Sequence, residues 1–273
     1  YEIRLSLVGS EMCIRDRMQW TNTIDLSSWA REFHAYSAFH AVTLAACALA
    51  IFGACLAGRR LSPSGERRWR RSIGWSIVAF QTFAALWRVA PGSFDLHESL
   101  PLHMCRVVVW AAALAMLTES RRARTICFFW GLGLSSQGFL TPMWNHGLAS
   151  VEFWLFWVSH AQIVGVAVYS LAVLGYRPAR SDLIFASVAG IGFALGVIGV
   201  NLALGTNYSY LGAGTYQNRC VVDMLGPWPW RAPAMIAGAL AIFGVLYGLS
   251  VWLPSAYGMC RRLPRFVRAR EVA

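Results

Sequence analysis

Six histidines and seven cysteines are the side chains of this chain best suited to proton transfer, nucleophilic attack or metal ligation. Three stretches concentrate them: FHAVTLA carries His40, LPLHMC carries His103 and Cys105 with Arg106 next, and FWLFWVSH ends on His160. A thiol attacks as its thiolate, and a neighbouring imidazole generates that thiolate by taking the proton. With Ser99 as cap and Leu100 and Pro101 in the first turn, a helix here puts Cys105 in its second turn. There the positive end of the helix dipole and Arg106 both favour a thiolate. His160, nine residues into its apolar run, is the candidate base. At 1.5 Å per residue it lies roughly 13 Å deep, against roughly 8 Å for Cys105. The chemistry requires both side chains in one cavity open to the outer half of a bilayer. His40, His103, Arg106, Asn207, Tyr208 and Arg88 are the groups able to hold a substrate or a developing oxyanion.

Other readings of the same residues stand beside this one. His34, His97 and His146 read as interfacial residues, and Cys47, Cys55 and Cys127 as small packing residues. His40, His103, Cys105 and His160 could ligate zinc or copper, but H-x-C is too short for a recognised metal pattern. No metal or other cofactor is expected. A disulfide between Cys105 and Cys220 would remove the nucleophile. A transporter, channel or receptor would line a polar path with these groups, yet the inner half of each apolar run is nearly free of ionisable residues.

The elements that must position these groups are membrane helices. Of 273 residues 57% are apolar and only 14% charged, with a mean hydropathy of +0.47. A soluble domain of this size cannot hide so much hydrocarbon beneath a charged surface. Seven apolar runs, at about 36–57, 72–91, 100–118, 124–141, 151–174, 183–204 and 231–253, are long enough to cross or nearly cross a hydrocarbon core of about 30 Å. The expected fold is all-α, a polytopic transmembrane bundle of seven helices. Every one of the 24 basic residues is arginine, and sixteen of these fall on one side of the threading, in loops near 58–71, 119–123 and 175–182 and in the tail. Arginine-rich loops stay cytosolic, which gives an N-out, C-in orientation in a cell membrane. The net charge of +11 is therefore an orientation signal, and the expected partners are membrane lipids, not nucleic acid. The oligomeric state is left open. Without lysine no Schiff base can form, so seven helices here cannot mean a retinal protein.

The transmembrane domain is expected over 18–260, followed by a basic cytosolic tail at 261–273. Residues 1–17, YEIRLSLVGSEMCIRDR, look like translated sequencing-adapter read-through, with Met18 as the start. Gly192 with Gly196, and Gly244 with Gly248, have the small-xxx-small spacing that permits close helix packing within the bundle. In LGPWPW, Pro227 and Pro229 discourage helix and Trp228 and Trp230 suit an interface, so this segment reads as structural.

LPLHMC, FHAVTLA, FWLFWVSH, NYSYL (Asn207 to Leu211) and LGPWPW (Leu225 to Trp230) together resemble the YwaF-like bacterial membrane proteins. These are similar to eukaryotic transmembrane protein 164, an acyltransferase that uses a cysteine nucleophile and a histidine partner on phospholipid acyl chains. The chain departs from the pattern between NYSYL and LGPWPW, where GAGTYQNRC replaces an expected Lys-Pro pair. The resemblance implies transfer or hydrolysis of phospholipid acyl chains through a Cys105 thioester, with His160 as base. A site on the outer side cannot draw on cytosolic acyl-CoA, so the implied donor is a lipid of the outer leaflet.

Overall fold

The computed structural model describes residues 26–142, 145–213 and 221–260. The expected read-through segment and the basic tail lie outside them. Among the described residues the chain is helical, apart from an isolated antiparallel bridge between Glu32 and His146. In order come α1 (Leu26–Arg31), α2 (Ala38–Arg60), α3 (Pro63–Val89), α4 (Met104–Leu117), α5 (Arg121–Ile126), a π-helix (Cys127–Ser135), α6 (Gln137–Leu140), α7 (Val151–Ala172), α8 (Arg180–Leu204) and α9 (Arg231–Cys260). Four of them, α2, α7, α8 and α9, are long and apolar enough to cross a membrane. Their outer faces are those of a lipid-embedded chain: Leu49, Phe52, Val188, Leu195, Leu202 and Val245 are all exposed. This is a membrane protein.

Two boundaries differ from the sequence reading, each for a local reason. The arginine-rich stretch at 58–71 is not a loop. Ser62 accepts the Gly65 N–H at 3.3 Å and Pro63 fits the first helical position, so α3 starts there and the connection shrinks to a turn. The helix carrying Cys105 starts at Met104 and not at Leu100. Ser99 Oγ instead accepts the Asp95 N–H at 2.9 Å within the preceding loop. What opens α4 is a distant residue: Ser209 Oγ accepts the Met104 N–H at 3.0 Å and donates to Leu102 O at 2.9 Å.

The bundle has two distinct ends. At one, Arg70 is 3% exposed and donates to Met116 O at 2.8 Å and Glu119 Oε1 at 2.7 Å. Beside it, Arg121 grips Asp182 through Nε at 3.1 Å and a terminal nitrogen at 2.5 Å, and also donates to Arg177 O at 3.1 Å. These bonds gather the arginine-bearing segments around 59–71, 119–124 and 177–182 together. At the other end, Trp87 donates to Glu152 at 3.4 Å and the Leu100 N–H to Tyr208 Oη at 3.3 Å, gathering the histidine-bearing segments.

Close packing falls on glycines other than the expected pairs. A methyl group added at Gly192, Gly196, Gly244 or Gly248 would meet nothing within 4 Å, so these glycines make no close helix contact among the described residues. At Gly74 it would sit 2.7 Å from Leu117, at Gly131 3.0 Å from Ile163, and at Gly133 3.1 Å from Ile242 and Leu246. Gly74 brings α3 against α4. Gly131 and Gly133 admit α7 and α9 to opposite sides of the π-helix, whose wider turn is a common feature of functional sites.

In LGPWPW, Trp228 is half-buried against the cluster of Ala194, Val197, Tyr208, Leu211 and Ala232, whereas Trp230 is 73% exposed. Trp228→Ala should therefore destabilise the fold by about 2 kcal/mol, below the value for a fully buried Trp. Yield of folded protein should fall while activity per folded molecule is kept. A normal yield with activity lost would place the segment in the site.

Candidate functional site

Cys105 occupies the second position of α4, one turn nearer the helix end than its sequence suggests. His160 lies in the third turn of α7, which runs parallel to α4. The late start of α4 brings these two turns level. The Cys105 thiol and the His160 imidazole are neighbours, each lying in the other's electrostatic field. Cys105 is a free thiol and partly exposed. Its alternative disulfide partner, Cys220, lies outside the described residues.

The histidine's tautomer follows from its own contacts. His160 Nδ1 lies 2.8 Å from Phe156 O, one turn back along α7. A carbonyl can only accept, so Nδ1 carries the proton and Nε2 has its lone pair free. That is the tautomer a general base needs, with Nε2 left to face the thiol. The ring is 7% exposed and packs on Phe156 with centroids 4.2 Å apart, and on Phe139 at 6.3 Å. Gly138 leaves the space for it: a methyl group there would lie 2.7 Å from His160 Nε2 and Cδ2. Gly138 is thus one wall of the imidazole's pocket.

Backbone accounting around Cys105 leaves one donor over. The first N–H groups of a helix have no partner within it. Here the Met104 N–H goes to Ser209 Oγ and the Arg106 N–H to His103 O at 2.9 Å, while none of the described residues accepts from Cys105 N–H. It is left without an acceptor at the start of the helix, beside the Cys105 side chain.

The other expected site residues fare differently. His40 is fully engaged: Nε2 donates to Phe139 O at 2.8 Å and Nδ1 accepts the Tyr36 N–H at 2.9 Å. His103 precedes α4, with Nε2 3.2 Å from Glu98 Oε2 and Nδ1 3.4 Å from the Ser209 N–H. Arg106 donates to Glu98 O and to Leu100 O at 2.8 Å, so it staples the loop ahead of α4. Tyr208 Oη donates to Leu96 O, and Asn207 Oδ1 accepts the Gly212 N–H at 2.8 Å. Arg88 makes no hydrogen bond or ion pair to a described side chain, though Arg106, Cys105 and Glu98 are its charged neighbours. His34, His97 and His146 are exposed. Among the described residues no three His, Cys, Asp or Glu side chains converge as metal ligands. An open cleft of about 530 Å³ lies at the arginine-rich end, lined by Gly58, Arg59, Glu66 and Glu119, remote from Cys105.

Several residues that build the site escaped the sequence reading. Ser209 and Tyr210 have φ of +53° and +64°, the left-handed region that non-glycine residues rarely enter. Asn201 holds this turn, accepting the Tyr208 N–H at 2.8 Å and donating to Tyr208 O at 3.0 Å. Buried Gln81 donates to Ser159 Oγ at 3.0 Å and Gln162 at 2.9 Å, fixing α3 to α7 beside His160. NYSYL was visible as a motif, but its service to α4 was not.

Fold and site define a helical membrane protein with a neighbouring thiol and imidazole at the end of the bundle away from the Arg70–Glu119 and Arg121–Asp182 pairs. Residues 32–247 match the model of the TMEM164 family, and the chain belongs to that family. No curated protein and no solved structure matches it.

Proposed function

We propose that this protein moves acyl chains of membrane phospholipids through a thioester on Cys105. The juxtaposition of Cys105 with a buried His160 whose Nδ1 is held by Phe156 O supports the reading most directly. His160 Nε2 takes the thiol proton, and Sγ attacks the carbonyl carbon of a lipid ester. The negative charge develops on the carbonyl oxygen, within reach of the Cys105 N–H. As the intermediate collapses, the ester C–O bond breaks and Nε2 returns its proton to the departing glycerol oxygen. This leaves an acyl-thioester and a lysolipid alcohol. In the second half an acceptor hydroxyl, from another lysolipid or from water, gives its proton to Nε2 and attacks the thioester. The thiolate leaves and is reprotonated.

Cys105→Ala should abolish this exchange, and Cys105→Ser should nearly do so, because serine is the poorer nucleophile without a dedicated activating site. The test is lipidomics on cells expressing wild type or Cys105→Ala. Acyl-chain remodelling that depends on Cys105 is expected, and identical lipid profiles would count against the thioester.

We further infer that seven helical segments cross the membrane, N-out and C-in, with Cys105 and His160 in the outer half. The gathering of the arginines at one bundle end supports this orientation. Cysteines introduced at Ser64 and Ser150 should then react with impermeant reagents from opposite sides. Reaction of both from one side would refute the threading.

A further inference from the structure

Arg88 lies in the last turn of α3. Helices α3 and α4 run antiparallel, with Gly74 packed on Met116 and Leu117. Each step outward along α3 is therefore matched by a step back along α4, which brings Arg88 opposite the turn of residues 102–103. That is just outward of Cys105, toward the bundle end and the headgroups. Arg88, Arg106, Glu98 and Cys105 are mutual electrostatic neighbours.

Charge in this group does not balance. Arg106 is spent on Glu98 O, on Leu100 O and, at 3.5 Å, on Glu98 Oε2. The same Glu98 oxygen also faces His103 Nε2 at 3.2 Å. One carboxylate thus serves an arginine and a histidine, and the second guanidinium is left over. Arg88 is half-buried, and its hydrogen-bonding groups find no acceptor among the described residues. A guanidinium stays charged at any working pH, and inside a membrane it requires an anion or water. Its planar fork suits a phosphate better than any other anion available at that depth.

We propose that Arg88 is the headgroup-reading residue of the site: it holds the phosphate of the lipid whose ester reaches Cys105. This rests on the acyl-transfer reading above. The arrangement matches a glycerophospholipid, in which the phosphate lies nearer to water than the ester. Arg88 then discriminates phosphate-bearing donors from neutral acylglycerols without touching the reacting carbon.

Binding tests this independently of catalysis, because a Cys105→Ala background binds donor without turning it over. Two fluorescent short-chain probes with identical acyl chains, a phosphatidylglycerol and a diacylglycerol, are titrated into the purified full-length protein in detergent. Adding Arg88→Gln should weaken phosphatidylglycerol binding roughly tenfold or more, the usual cost of a lost charged hydrogen bond, and leave diacylglycerol binding unchanged. Arg88→Lys, which keeps the charge but not the fork, should fall between. Millimolar inorganic phosphate should not displace the lipid probe, and full displacement would assign the site to free phosphate instead. Equal phosphatidylglycerol binding with and without Arg88 overturns the proposal, as does an equal loss for both probes. The acyl-transfer reading fails separately, by absence of Cys105-dependent turnover in the wild type.

Discussion

On the proposed mechanism His160→Ala should slow acyl transfer by roughly 10²–10⁴-fold, the range over which a positioned general base contributes, and Gly138→Ala should reproduce much of that loss with the histidine still in place. The second variant is the more diagnostic. Gly138 sits in α6 without a positive φ, and alanine favours helix more than glycine does. The backbone therefore has no reason to object. The imidazole does: the new methyl would lie 2.7 Å from Nε2, well inside contact distance. Either the ring rotates and gives up its bond to Phe156 O, or α6 shifts away from α7. Both separate Nε2 from the Cys105 thiol. Turnover by purified protein, set beside its thermal midpoint in detergent, reads the result. Loss of turnover at a kept midpoint is expected, and wild-type turnover would mean that the ring's position beside Gly138 is not the catalytic one.

Asp182→Ala carries the largest expected cost to stability, about 3 kcal/mol. Its carboxylate is buried at 6% exposed and serves four donors. These are the Ala179 N–H at 2.7 Å, Thr125 Oγ1 at 3.0 Å, and two Arg121 nitrogens at 3.1 and 2.5 Å. Removing it strands the Ala179 N–H and takes the carboxylate from Arg121, while the Thr125 hydroxyl falls back on Arg121 O at 3.0 Å and the arginine on Arg177 O at 3.1 Å. Burial pushes the neighbouring Tyr176 phenol up to about 12, so that hydroxyl stays protonated, 3.0 Å from Thr125 Oγ1. The arginine side chain is 56% exposed and stays hydrated, which holds the cost to the lower end of the range for broken buried pairs. Asp182→Asn keeps acceptors for Ala179 and Thr125 and should cost roughly half as much. Thermal unfolding in detergent measures both, and an Asp182→Ala midpoint equal to wild type would show that this network does not hold α5 to α8.

The helical, membrane-embedded nature of the chain and its likeness to transmembrane protein 164 were legible in the sequence, for physical reasons. Apolar runs of membrane length have few other uses, and motifs such as LPLHMC and FWLFWVSH keep their residues wherever the helices begin. The start of α4 was not legible, because the group that accepts the Met104 N–H comes from Ser209, more than a hundred residues away. Pattern reading can see Ser99 as a cap but not a hydroxyl delivered by another loop. The roles of the polar candidates were equally hidden. His40, His103, Arg106 and Arg88 look alike in the sequence as ionisable groups among apolar runs, and only their contacts tell the spent ones from the one left over. The π-helix was not legible as such within the apolar run at 124–141, which holds Gly131 and Gly133. Its glycines turn out to be where α7 and α9 pack closely.

The thioester itself can be sought directly. Purified protein mixed with phospholipid vesicles, quenched in acid and digested, should yield a Cys105 peptide heavier by one fatty acyl group. That adduct should be released by neutral hydroxylamine and be missing from His160→Ala. A Cys105 peptide that never gains acyl mass, from a protein whose phospholipid turnover is unchanged by Cys105→Ala, would contradict the proposed chemistry.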